Sequence, residues 1–174
     1  MSISVSTNIN TETGVYIELE CTEDTKKRLH QYVTKYIDKN SNYNDFHLTL
    51  IYSKKKFSGN IEYTIGMNLK KVFAKPVEFV KFENEKDDIY AVALKLKCSI
   101  CEIAHKELMK KYDFVYDYDE YIPHITLSYK GKDVDISKLP VPDIFIKFDK
   151  LNVEPLDEDW ANNNSWYFSQ HIKK

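Results

Sequence analysis

The chain repeats itself, and that repeat limits its possible folds more than any other feature. From Val15 the order reads strand, helix, loop, and then a strand carrying HLTL at 47–50. From Ile89 the same order runs again and ends in HITL at 124–127. Val15 to His47 spans 32 steps and Ile89 to His124 spans 35, so the two passages predict two related lobes.

Within the first passage, GVYIELEC (14–21) is β-branched and aromatic and alternates as a strand does. Thr22 then stands as an N-cap, acids fill the first turn, and Leu29, Val33, Tyr36 and Ile37 recur at helical spacing. In the second passage DIYAVALKLK (88–97) alternates, and Ile100, Ile103, Ala104, Leu108 and Met109 line a helical face. Between the passages, IEYTIGMNLKKVFAKPVEFVKFENE reads as an irregular or short helical piece followed by a strand around 76–84. After a Pro-marked turn, Ile144, Ile146 and Phe148 alternate as a last strand. No low-complexity linker separates the halves, which predicts a single two-lobed domain over residues 1–174.

Alternate residues of a strand face the same side. His47 and Thr49 therefore project together, as do His124 and Thr126, while Leu48, Leu50, Ile125 and Leu127 point the other way. A lone histidine in a strand is usually structural. Two in matching contexts, each with a threonine on the same face, point to a shared site. Such a site suits phosphodiester cleavage. One imidazole takes the nucleophile's proton and the other protonates the leaving oxygen, while the hydroxyls hold the non-bridging phosphate oxygens. A zinc site is the chemical competitor, but neither motif has an acid or cysteine beside its histidine on the strand face, and threonine is a poor ligand. No metal and no cofactor are expected.

The other histidines, His30, His105 and His171, lack a partner motif and read as surface or structural. Cys98 and Cys101 form a CxxC without a second pair, so they read as small buried hydrophobes. Three cysteines make no disulfide framework, the N-terminus is no signal peptide, and no apolar run is long enough to span a membrane. The cytoplasm is the expected location. Lysines and arginines number 25 against 27 acids, a net charge of -2 that lacks the basic excess a long nucleic acid requires. A small anionic ligand needs only a few local positive groups and stays open. Lys54–Lys56 and the acidic loop DYDEY (117–121) read first as solvated turns.

The twin motifs resemble those of the 2H phosphoesterase superfamily. More narrowly, GVYIELEC, FHLTLIYSKK, YDFVYDYDEYIPHITLSYKGKDVDISKLPVP and LNVEPLDEDW resemble the anti-CBASS phosphodiesterases of tailed phages, over about residues 14 to 162. The resemblance implies an α+β fold, with antiparallel sheets of two pseudo-symmetric lobes lining a cleft and helices packed outside. It implies metal-independent cleavage of cyclic di- and trinucleotide messengers of antiphage signalling, within the host cytoplasm. His47, Thr49, His124 and Thr126 would carry the chemistry. Tyr16 and Trp160 would stack on bases and Glu154 would contact a base edge. From the residues alone Tyr16 can equally be core, and Trp160, flanked by Asp159 and Asn162, reads as exposed. An RNA 2',3'-cyclic or 2',5'-oligoadenylate phosphodiesterase, or a non-catalytic nucleotide sponge, are the alternative functions. The acid–base assignment, the preferred messenger, the oligomeric state and the role of the tail after Trp160 stay open.

Overall fold

The first passage folds as the alternation demands. Strand β2 (Val15–Cys21) buries Val15, Ile17, Leu19 and Cys21 almost completely and turns Tyr16, Glu18 and Glu20 to the other face. Helix α1 (Glu23–Tyr36) starts at Thr22, whose hydroxyl accepts from the Thr25 amide, with Glu23 and Asp24 at the positive end of the helix dipole. It buries Leu29 and Val33, and Tyr36 lies at the exposed rim. Strand β3 (His47–Ser53) follows and carries the first motif.

The second passage repeats this with β6 (Ile89–Lys97), α2 (Ser99–Tyr112) and β7 (His124–Ser128). The buried stripe of α2 is Cys101, Ala104, His105 and Leu108, so Ile103 faces solvent, against the expected apolar face. His105 is drawn inward because its Nδ1 finds the Leu50 carbonyl at 2.7 Å. Cys98 and Cys101 are buried as expected but joined as a disulfide across the first turn of α2, whereas Cys21 is free and buried.

The computed structural model describes residues 2–66 and 72–157. Two further strands, β5 (Phe73–Asn84) and β8 (Ile146–Pro155), complete a six-stranded antiparallel sheet in the order β3-β2-β8-β5-β6-β7. Among the described residues its middle joint is short: Phe73 pairs with Lys147, Ala74 with Ile146, and the Phe148 amide donates to the Val72 carbonyl at 3.0 Å. On each side of that joint lies a three-stranded half-sheet whose outer strand bears a motif. The outer strands β3 and β7 come into contact with each other, and α2 packs against β3. The result is α+β with two pseudo-symmetric halves around a cleft.

The middle of the chain departs from the expected irregular or helical piece. Residues Phe57–Ile65 form β4, paired along its whole length with β1 (Ile3–Thr11) in a separate ribbon. Ile3, Ile9, Ile61 and Ile65 anchor the ribbon in the core, and Val5 and Thr7 reach the cleft. The first residue of β2's lead-in must be glycine. A Cβ on Gly14 would lie 1.7 Å from the Ser53 carbonyl oxygen. At Pro76 the β5–β6 register slips by one residue, as befits a residue with no amide hydrogen to give the ladder.

Candidate active site

Both motifs are shaped by the same local irregularity. On β3, Glu18 of the neighbouring strand faces Thr49 and Ile17 faces Ile51, so Leu50 is an extra residue. On β7, Ala93 faces Thr126 and Val92 faces Ser128, so Leu127 is the extra one. The fourth letter of each H-x-T-L is thus a β-bulge, a device that re-aims side chains beside functional sites. The carbonyls around the first bulge are claimed by the other half of the chain. Tyr121 donates to the Thr49 carbonyl at 2.7 Å, and His105 donates to that of Leu50. The His105 and Tyr121 rings stack at 4.1 Å, 4° from parallel. His105 is therefore structural, as expected; in DYDEY (117–121) the acids are exposed, as a solvated turn requires, while Tyr121 turns inward as a strut under the bulge.

His47, Thr49, His124 and Thr126 all line one cavity of about 900 Å³, large for the ~300–1,000 Å³ typical of small-molecule sites. His47 Nδ1 lies 2.8 Å from the Asp45 carbonyl, and His124 Nδ1 lies 2.8 Å from the Ile122 carbonyl. A carbonyl can only accept, so each Nδ1 carries the hydrogen. In a neutral ring the lone pair is then on Nε2. Each threonine also meets a tyrosine hydroxyl: Tyr16 lies 2.8 Å from Thr49 Oγ1, and Tyr129 hydrogen-bonds Thr126.

The surroundings break this symmetry. Beside His47 stand Glu18, at 3.5 Å from Nε2, and the Asp45 carboxylate, at 3.4 Å from Nδ1. Burial acts to lower the His47 pKa, but the Asp45 hydrogen bond and the charges of Glu18 and Asp45 outweigh it, and the net shift is upward. The positions corresponding to Asp45 and Glu18 in the second half are Ile122 and Ala93, which are apolar. Burial therefore dominates at His124 and pushes it down to about 4, with the positive charge of His47 adding to the drop. Two environments that drive paired titratable groups apart are the mark of a divided acid–base task.

The remaining expected residues divide. Tyr16 and Glu154 face each other across β2 and β8 and both line the cavity. Burial, then the charges of Glu18 and Asp45, raise the Glu154 carboxyl above its usual range. Trp160 and His171 lie outside the described residues. The lysine run stays out of the cleft: Lys54, Lys55 and Lys56 pair with Asp117, Asp113 and Glu12. His30 holds the Ser41 carbonyl at 2.9 Å and is structural. Sequence reasoning passed over Glu18, Asp45, Tyr43, Tyr129, Lys150 and Asn152, all of which line the cavity. For Glu18 a signal existed, since alternation in VYIELEC puts it on the face of Tyr16. Among the described residues no three His, Cys, Asp or Glu side chains are grouped to hold a metal ion.

Twin H-x-T-L strands thus meet across a cleft, each histidine fixed through Nδ1 and each threonine beside it, which sets two imidazoles and two hydroxyls around one cavity. The profile of the anti-CBASS protein Acb1 family matches residues 13–163, and the chain belongs to that family. Among named relatives, the anti-CBASS protein Acb1 of Vibrio phage KVP40 is 28% identical over 152 residues, covering 87% of this chain and 93% of that protein. A crystal structure of E. coli LigT complexed with 3'-AMP superposes with a TM-score of 0.43 at 9% identity, over 83% of this chain and 95% of LigT. No described helix is long and apolar enough to cross a membrane.

Proposed function

We propose that the protein is a metal-independent phosphodiesterase that opens cyclic di- and trinucleotide messengers, such as 3',3'-cGAMP, to linear products. Acting in the cytoplasm of an infected host, it would disarm CBASS signalling for a phage. The observation that carries the reading is the divided pair of histidines at the floor of a cavity of about 900 Å³, wide enough for a compact cyclic nucleotide. Family membership supports the substrate class.

In the proposed reaction the phosphorus sits between the two Nε2 atoms. His124, neutral at pH 7, takes the proton of the attacking oxygen, which is the adjacent 2'-hydroxyl or a water. The new oxygen–phosphorus bond forms as the bond to the 5'-oxygen breaks, and His47 gives its proton to that leaving oxygen. Thr49 and Thr126 hold the non-bridging oxygens, oriented by the hydroxyls of Tyr16 and Tyr129. Tyr16, Glu154 and Trp160 are the proposed contacts to the bases, each stack contributing on the order of 1–3 kcal/mol. With charge supplied by an imidazolium and by hydrogen bonds, the scheme calls for no metal.

The test is incubation with several cyclic di- and trinucleotides, and with RNA ending in a 2',3'-cyclic phosphate, all in EDTA, with products weighed by mass spectrometry. Linearised cyclic nucleotides with RNA ends left intact are expected. Cleavage of the RNA end alone overturns the substrate class, and intact recovery of every compound overturns the activity.

A further inference from the structure

We propose that Glu18 assigns the roles of the two histidines: its carboxylate, on the cleft face of β2, holds His47 as the proton donor. The inference rests on the phosphodiester-cleavage reading above and names the positioning residue that gives that reaction its direction.

Nothing inside the motifs can tell donor from acceptor. Both contain His, Thr and a bulged Leu, both set Nδ1 on a carbonyl at 2.8 Å, and both place a tyrosine hydroxyl on the threonine. Two differences lie outside the motifs: Asp45 stands two residues before His47 where Ile122 stands before His124, and the second difference lies one strand inward. The residue facing Thr49 is Glu18, and the residue facing Thr126 is Ala93. Glu18 Oε2 stands 3.5 Å from His47 Nε2, the nitrogen that would face the leaving oxygen. Its Oε1 accepts from Asn152 Nδ2 at 3.1 Å, so the carboxylate is steadied from β8. Its side chain is only 12% exposed, which keeps the ion pair from being screened as a surface pair would be. Ala93 offers His124 nothing comparable.

Other charges facing His47 do not replace it. Asp45 is the second carboxylate, but its side chain is 73% exposed, and its backbone carbonyl would survive substitution. From β2, Glu20 is engaged by Lys26 of α1, with Lys150 of β8 3.7 Å away. Glu154 of β8 and His124 of β7 act only through longer-range charge. The Tyr16 ring meets the His47 ring edge-on at 6.3 Å and stays neutral, since burial and Glu18 raise its hydroxyl further. Glu18 is thus the one screened-off carboxylate among these groups that lies on the reacting nitrogen.

The test is Glu18→Gln in the full chain, which keeps the shape and the acceptor for Asn152 but removes the charge. Two readouts are taken: the imidazole titrations by 15N NMR, and kcat against pH with a cyclic dinucleotide bearing two 3'-5' linkages. The expected result is a lower His47 titration and an unmoved His124. The alkaline limb of kcat shifts to lower pH, with a fall of about fivefold or more at pH 8.5 and less than about twofold at pH 6. Asp45→Asn is expected to lower the His47 titration as well, since Asp45 also holds the ring, but from Nδ1 and not from the reacting nitrogen. Asn152→Ala, which loosens Glu18 and also takes a 3.2 Å hydrogen bond from Glu20, moves them in the same direction and, read beside Glu20→Gln, serves if the Glu18→Gln variant misfolds. An unchanged His47 titration and limb in Glu18→Gln overturns the proposal. If the wild-type protein cleaves no cyclic nucleotide, the functional reading fails on its own, and the NMR titration still decides whether Glu18 holds the ring.

Discussion

The proposed division of labour between the histidines makes a quantitative prediction about pH. Burial takes His124 from 6.5 to about 4, a preference for the neutral ring of about 3 kcal/mol at about 1.36 kcal/mol per unit. That figure is an upper bound, because the residue keeps some contact with solvent. His47 moves the other way, held protonated by Asp45 and Glu18 against the effect of its burial. With His124 as base and His47 as acid, kcat/KM is flat across a window that opens near pH 4 and closes above 6.5. Protonation of His124 forms the acid limb and deprotonation of His47 the alkaline limb. The same shift is a stability statement. His124 is depressed on folding, so between 6.5 and about 4 the unfolded chain binds its proton more readily, and stability falls as the pH falls. The assays are kcat/KM from pH 3.5 to 9 and urea denaturation over the same range. Wild type is expected to lose up to about 3 kcal/mol more than His124→Ala on going from pH 7 to 4. An acid limb at 6.5, or an equal acid loss in wild type and His124→Ala, refutes the assignment of His124 as the buried base.

Two substitutions away from the histidines test the scaffold. Tyr121→Phe removes the 2.7 Å hydrogen bond to the Thr49 carbonyl. It is expected to cost about 1–3 kcal/mol in urea denaturation and to lower kcat more than it raises KM, because the buried carbonyl at the bulge loses its donor. Gly14→Ala would put a Cβ 1.7 Å from the Ser53 oxygen. β2 and β3 must then part, with an expected loss above about 2 kcal/mol by the same assay. Stability equal to wild type in either variant contradicts the packing described.

What the sequence made legible was the part governed by period two and by the repeat. His47, Thr49, His124 and Thr126 converge because strand alternation puts each pair on one face and the repeat puts the pairs on matching strands. The β1–β4 ribbon was not legible. Half of each strand faces solvent, and Ser6, Asn8 and Asn10 in β1 and Ser58, Gly59 and Asn60 in β4 are turn-favouring residues that mask the β-branched ones among them. The α2 stripe was misjudged at Ile103 because His105 replaces an apolar residue on the buried side, where a carbonyl from the distant bulge satisfies it. The proposed acid–base roles were hidden for a different reason. They depend on cross-strand register, which sets Glu18 beside one motif and Ala93 beside the other, and neither belongs to the repeated letters.

The central claim is that His47 and His124 act as one acid–base pair on a cyclic nucleotide. The most direct measurement is product identification by mass after incubating wild type, His47→Ala and His124→Ala with the cyclic nucleotide panel in EDTA. The account predicts linear product from wild type and a loss of about 10²-fold or more in each variant. Full turnover by either variant, or abolition of wild-type cleavage by the chelator, would contradict it.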